Sequence, residues 1–453
     1  MLKSTVHVLL RVHAAAVALI CCLAATDAGA SIVGQTGPSF ALSAKADRVT
    51  TPDGGSILFW GFATGNRAQY PGPTLLVNQG DPVTIDVTNQ LPASAGQRVS
   101  LIFPGQEGVT AVCKSQPCVQ GPLTLEAALG GTVTYSFAAS RAGTFQYSSG
   151  SNPDLQIEMG LAGALIVRPS SGASQAYNTS ESAFDREYLF FLSEMDSHIH
   201  DLVEQQGVDA VYRTSLLTDY MPNYWFLNGR NAPDTMAEDG GERFPTQPYG
   251  ALVRMHPGER VLMRVIGGGH DMHPFHHHGN HARVIAVDGH LLQSTAPPSG
   301  DSIDLSHEVF TIQSVPGQTV DAIFTWTAKD LGWDIYGAPH HPDGPFPGNT
   351  CNAGLDGLDP DTKEYCADHG KRIPVVLPDL LSTDFGGFWS GSPYMGVLGL
   401  LPPGQGGLNP DAGYSYMWHS HTEKEITNFD IFPGGMMTML IIVPVNVTIA
   451  PAP

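Results

Sequence analysis

Apolar and polar residues alternate in short runs along most of the chain, with little helical periodicity. Runs such as Ser56–Trp60, Val83–Thr88, Val133–Phe137 and Gly163–Val167 are rich in β-branched and aromatic residues, with Pro71-Gly72-Pro73 and Gly80-Asp81 between them. Such side chains pack well on a pleated surface, whereas Gly and Pro punctuate turns. A second block starts near Tyr188, contains Ala251–Met255, Val261–Ile266, His281–Val287 and Val320–Trp326, and closes with Met437–Val443. The polar stretch 171–185 between the blocks reads as a linker. The pattern predicts an all-β protein of two β-sandwich domains, over residues 31–170 and 186–446. A segment at about 327–415, rich in Gly, Pro and Asp, interrupts the second. Loops beyond ~12–15 residues are usually functional or disordered, and Cys351 and Cys366 within this one argue for order.

Composition narrows the class. Apolar residues make up 42% of the 453 and charged residues 14%, so the chain can bury large cores and is not disordered. The 51 Gly and 35 Pro suit a turn-rich β-protein. A formal charge of −21, from 43 acids and 22 bases, excludes a nucleic-acid partner, which needs cations against phosphate. Eighteen histidines beside only 22 Lys and Arg point to metal, because imidazole is the commonest metal ligand.

Lys3 and Arg11, the apolar run Ala14–Ala25 and Ala28-Gly29-Ala30 form the pattern of a signal peptide over 1–30, cut after Ala30. The run is shorter than the ~20 residues of a spanning helix, and no later stretch qualifies, so no transmembrane anchor is expected. The expected location is secreted or periplasmic. Cys113, Cys118, Cys351 and Cys366 then remain, an even number suited to disulfides, and sequence-local pairing is the expected one of three.

Six histidines fall between His270 and His281, and Trp418-His419-Ser420-His421 supplies a second H-x-H. Alternate side chains of a strand share a face, so His276 and His278 point one way and His277 the other; His419 and His421 pair likewise. On neighbouring strands the four imidazoles would converge as uncharged nitrogen donors, which suit copper or zinc better than magnesium or calcium. The competing reading is a set of hydrogen-bonded structural histidines.

The segments Pro71–Pro92, Gly160–Val167, His273-Pro-Phe-His-His-His-Gly279 and Trp418–Met437 resemble, in this order, the multicopper oxidases. Those proteins, laccases among them, are built from cupredoxin β-sandwiches. The resemblance implies copper as cofactor, dioxygen as acceptor and a small-molecule or metal-ion substrate. It makes His273 the mononuclear blue-copper position, and His276, His278, His419 and His421 ligands of the trinuclear cluster. The departures are as specific. Ser420 stands where the family has its copper-binding Cys, and Glu425 where it has a second His. Ile102 and Pro104, and Tyr147-Ser148-Ser149-Gly150, replace the first domain's histidine motifs. Without a thiolate no blue copper is expected, Met436 or Met437 notwithstanding, and half of the trinuclear set remains. His273 and His281 flank the first pair as candidate extra ligands.

Other signals are weaker. Glu194, Asp196, His198 and His200 alternate as on a metal-binding strand or a solvated edge. His340-His341 reads as a surface turn. Glu423, Glu425 and Asp430 either orient imidazoles or form a solvated acidic loop. His421-x-x-x-Glu425 is also similar to the cupins, but the Pro71–Pro92 and Gly160–Val167 segments favour the cupredoxin reading. Asn178 and Asn446 sit in glycosylation triplets, which do not identify the host. Two functions follow: a copper oxidoreductase acting at the second domain's histidines, or a non-catalytic copper-binding or assembly protein with a residual half site.

Overall fold

The computed structural model describes residues 32–295, 302–336, 348, 350–371, 391–393 and 414–449. The expected export signal 1–30, His340-His341 and most of the insertion beyond residue 371 lie outside the described residues.

Residues 35–168 form two facing sheets. One runs in the order Ser56–Ala63, Ser39–Thr50, Pro82–Asn89, Thr132–Ala138 and Thr110–Ser115. The other runs Gln35–Thr36, Gly72–Asn78, Ala162–Arg168 and Gly143–Ser148. The period-two pattern sets which side faces in: Val83, Ile85 and Val87 are buried in the core with Leu42, Phe62 and Tyr135. Each such side chain contributes about 1.5–3 kcal/mol on burial. Pro71-Gly72-Pro73, expected as a turn, instead opens a strand. A Cβ on Gly72 would lie 2.8 Å from the Tyr147 hydroxyl, so this close approach requires glycine.

The second sandwich pairs a seven-stranded sheet with a six-stranded one. The first includes, in order, Tyr224–Leu227, Arg186–Met195, Arg260–Gly267, Thr319–Thr325 and Ala282–Val287. The second includes Val253–Met255, Met437–Ile442, Tyr414–Ser420, His273–His277 and Thr311–Ser314. Phe190 bridges the sheets, its ring centroid 5.1 Å from Phe275 and 5.8 Å from Trp418.

Alternation on Arg186–Met195 also decides how the sandwiches join. Phe190 points into the second core, so Leu189 and Phe191 point out and pack with Ile266 on Ala162, Ala164 and Ile166 of the first sandwich. A charged seam crosses this contact: buried Arg264 donates to Glu187 (3.0 Å) and to Thr144 of the first sandwich (2.9 Å), and Arg168 also donates to Glu187 (2.6 Å). Burial works against the Glu187 charge, but Arg264 and Arg168 hold its carboxyl below the usual range. The histidine-bearing sheet therefore lies on the side away from the first sandwich.

The alternating acids and histidines after Glu194 form neither a metal-binding strand nor a solvated edge. The strand stops at Met195, and the Asp196 carboxylate accepts from the His198 backbone N–H (3.0 Å), capping the helix Ser197–Gln206. Ile199 and Val203 of this helix, with Val208 and Val211 beyond it, insert into the core of the first sandwich. Disulfides join Cys113 to Cys118 and Cys351 to Cys366, the pairing expected from the sequence. Among the described residues no helix is long and apolar enough to cross a membrane.

Glu259, in the turn before Arg260–Gly267, accepts from Arg186 Nε (2.6 Å) and lies 2.9 Å from His256 Nδ1. Burial raises its pKa, but these hydrogen bonds outweigh it and lower the carboxyl to about 2. A depressed carboxylate stabilises the fold above its unfolded pKa and loses that contribution as pH falls through the folded value. Glu259→Gln should therefore cost up to about 3 kcal/mol at pH 6, with the deficit shrinking from pH 4.5 towards 2. Urea unfolding of both proteins across this range reads it, and a pH-independent deficit would contradict the assignment.

Candidate metal centre

Two strands carry the histidine motifs. His273–His277 and Tyr414–Ser420 are antiparallel neighbours, with Phe275 opposite Ser420, His276 opposite His419 and His277 opposite Trp418. Directly opposed residues share a face. Phe275 and Trp418 belong to the core, so His276 and His419 face outward. His278 and His421, each one residue past a strand end, join them. Ring centroids are 4.5 Å apart for His276 and His278, 5.1 Å for His278 and His419, and 5.0 Å for His276 and His421.

Two backbone carbonyls orient the rings. His276 Nδ1 donates to Phe310 O (2.7 Å) and His419 Nδ1 to Ser420 O (2.7 Å), which leaves each Nε2 with its lone pair. His278 Nε2 and His419 Nε2 are 3.1 Å apart. Burial and neighbouring imidazoles lower His276 to about 3; burial chiefly lowers His419 to about 4, so both rings are uncharged at neutral pH. His276 and His419 are buried, whereas His421 is exposed, with Glu423 3.6 Å from its Nδ1. The four converge in pairs rather than as one tight cage. Among the described residues, the donor trios within 4.8 Å of one another are Cys351, Asp359 and Cys366, and Cys351, Glu364 and His369. Both include a disulfide sulfur, which is no thiolate ligand.

His273, a candidate extra ligand because it flanks the first pair, points the other way. Its Nε2 lies 2.8 Å from Glu194 Oε2 and its Nδ1 2.9 Å from Glu425 Oε2, inside the sandwich. Burial disfavours its charge, but hydrogen bonds to the two carboxylates outweigh this and raise it to about 9. His277 is also internal, packed on Phe324 and Trp418, and burial lowers it to about 3. His281 stands edge-on to Phe310 at 5.7 Å, the ring that His276 also meets edge-on. Glu194 was not legible as a partner of His273, since nothing in the alternation after it points 79 residues along the chain. Glu425, read as an orienting or solvated acid, is buried and accepts from Ser420 Oγ (2.5 Å) as well.

The first sandwich brings no histidine here; none occurs between His13 and His198. Ser100 and Ser149, in the stretches where the histidine motifs are replaced, bond to Ser151 (2.9 Å) and Gln156 (2.7 Å), and Ser151 donates to Glu126 (2.8 Å).

Glu425→Ala would strand the Ser420 hydroxyl and one His273 N–H in the interior. Its expected cost is about 3–5 kcal/mol, against about 1–2 kcal/mol for Ser420→Ala, which removes only the hydrogen bonds of Ser420 Oγ to Glu425 and from the Thr422 N–H. Equal losses in chemical unfolding would contradict this order.

Comparison with known proteins agrees with these sheets. The family model described as multicopper oxidase matches residues 62–172. An L-ascorbate oxidase of Nicotiana tabacum is 25% identical over 267 residues, 52% of this chain and 41% of that protein. Laccase-7 of Oryza sativa subsp. japonica is 27% identical over 267 residues, 57% of this chain and 40% of that protein. The alignments thus span about two-fifths of these relatives. In fold, the blue copper oxidase from Nitrosomonas europaea matches with a TM-score of 0.53 at 19% identity, over 90% of this chain and 86% of that one. The multicopper oxidase mgLAC matches with a TM-score of 0.51 at 18% identity, over 91% and 87%. Along residues 62–172 the chain matches the multicopper oxidase family model, and over nine-tenths of its length its cupredoxin-like fold is similar to that of the blue copper oxidase.

Proposed function

We propose that the protein is an exported copper-binding oxidoreductase that holds copper at His276, His278, His419 and His421. The observation that carries this reading is the convergence of four imidazoles on one sheet face, with two Nε2 lone pairs freed by bonds to backbone carbonyls. That donor set is uncharged nitrogen and fits copper. Carbonyl acceptors on the opposite ring nitrogen are also how metal-binding histidines are held in one tautomer. Copper bound there would supply one-electron redox chemistry, with a small-molecule or metal-ion reductant as substrate and dioxygen as acceptor. The chain's own part is to orient the rings, through Phe310 O and Ser420 O, and to leave the His421 side open to solvent for substrate. The region 1–30 serves as the export signal, and two disulfides support an oxidising compartment.

One observation favours the second reading, a non-catalytic copper-binding or assembly protein: the first sandwich has no histidine to complete the set. Metal analysis with electron paramagnetic resonance decides the shared part. The purified protein should take up copper without an intense blue band, and His276→Ala with His419→Ala should lower its copper affinity at least tenfold while leaving thermal unfolding of the apo-protein within a few degrees. Unchanged copper in the double variant would place the site elsewhere. Oxygen uptake with phenols, ascorbate and Mn(II) separates the readings: turnover lost in the double variant supports the oxidoreductase, whereas stoichiometric copper without turnover supports the binding protein.

A further inference from the structure

The inner face of the histidine-bearing strand holds a second, different arrangement. Glu194, near the end of Arg186–Met195, reaches across the sandwich from the opposite sheet. Its carboxylate accepts from His273 Nε2 (2.8 Å), from the backbone N–H groups of His270 and of Asp271 (3.0 Å), and from Tyr220 Oη at 3.4 Å. The loop can wrap it this closely because residue 269 lacks a side chain: a Cβ there would lie 2.0 Å from Glu194 Oε2. On the other side of the ring, Glu425 Oε2 accepts from His273 Nδ1 (2.9 Å) and Ser420 Oγ (2.5 Å). Glu194, His273 and Ser420 are at most 2% exposed, and Glu425 6%.

This is the position the resemblance assigns to mononuclear copper, and its residues do not fit that metal. An ionised carboxylate only accepts hydrogen bonds, so both nitrogens of His273 must donate. A metal needs a nitrogen lone pair, and none is left. Ser420 supplies no thiolate and Glu425 no imidazole. The three groups also come from three places: Glu194 from the far sheet, His273 three residues before His276, and Glu425 four residues after His421.

We propose that Glu194 and Glu425 make His273 a metal-excluding clamp, a positioning residue that fixes the His273–His277 strand against the segment following His421. The proposal does not rest on copper binding at the four outward histidines.

The test restores the missing ligands with and without the clamp. Ser420→Cys alone, loaded with Cu(II), should show no intense thiolate-to-copper absorption, because His273 has no free nitrogen. Ser420→Cys with Glu425→His and Glu194→Ala should show it. The band in the single variant, or its absence from a triple variant that circular dichroism shows to be folded, would overturn the proposal. Should the triple variant fail to fold, long-range 1H–15N correlation on the unmodified protein reads the clamp directly. Both His273 nitrogens are expected to carry protons at pH 7, and one bare nitrogen would overturn it. Neither readout needs the outward cluster to bind copper, so failure of the clamp and failure of the proposed function are told apart.

Discussion

The pairing of His276 with His419 across two antiparallel strands is the constraint on which the candidate centre depends. Side chains alternate faces along a strand, so this single register sends His276, His278, His419 and His421 outward and His273, Phe275, His277, Trp418 and Ser420 inward. A slip of one residue would exchange the two sets. The register is held by the inward set: Phe275 and Trp418 meet Phe190 and Phe324 in the core, where a slip would replace aromatic rings by imidazoles. Hydrophobic packing on one face thus positions the nitrogen donors on the other.

The two faces then solve opposite electrostatic problems. Outward, imidazoles lie close together, and partial burial with mutual repulsion keeps His276 and His419 neutral, their lone pairs available. Inward, a single imidazole sits between two carboxylates and carries a proton on each nitrogen. A buried carboxylate without a partner costs several kcal/mol, so Glu194 and Glu425 are tenable inside the sandwich only because His273 and nearby N–H and O–H groups satisfy them. One strand therefore presents donors suited to a metal on one side and a hydrogen-bonded charge cluster on the other.

Much of the fold was legible in the sequence, because burial of one face imposes period two: Val83–Thr88 and Val261–Ile266 fall within observed strands, and Val320–Trp326 overruns the strand Thr319–Thr325 by one residue. Alternation also implied the common face of His276 and His278. The same parity places His273 on the opposite face, although its place beside the first pair made it a candidate extra ligand there. The helix after Glu194 was missed because Asp196, Ser197 and His198 mimic strand alternation; what decides is the cap by Asp196 and the burial of Ile199 and Val203 in the other sandwich, both tertiary effects. Glu194 itself was illegible, for its partner belongs to the facing sheet.

The most direct measurement is anomalous diffraction at the copper absorption edge from crystals grown with copper. The account predicts a peak on the outer face, at bonding distance from Nε2 of His419 and of at least one of His276 and His278, and none on His273. A peak on His273, or none at the outward histidines, would contradict it.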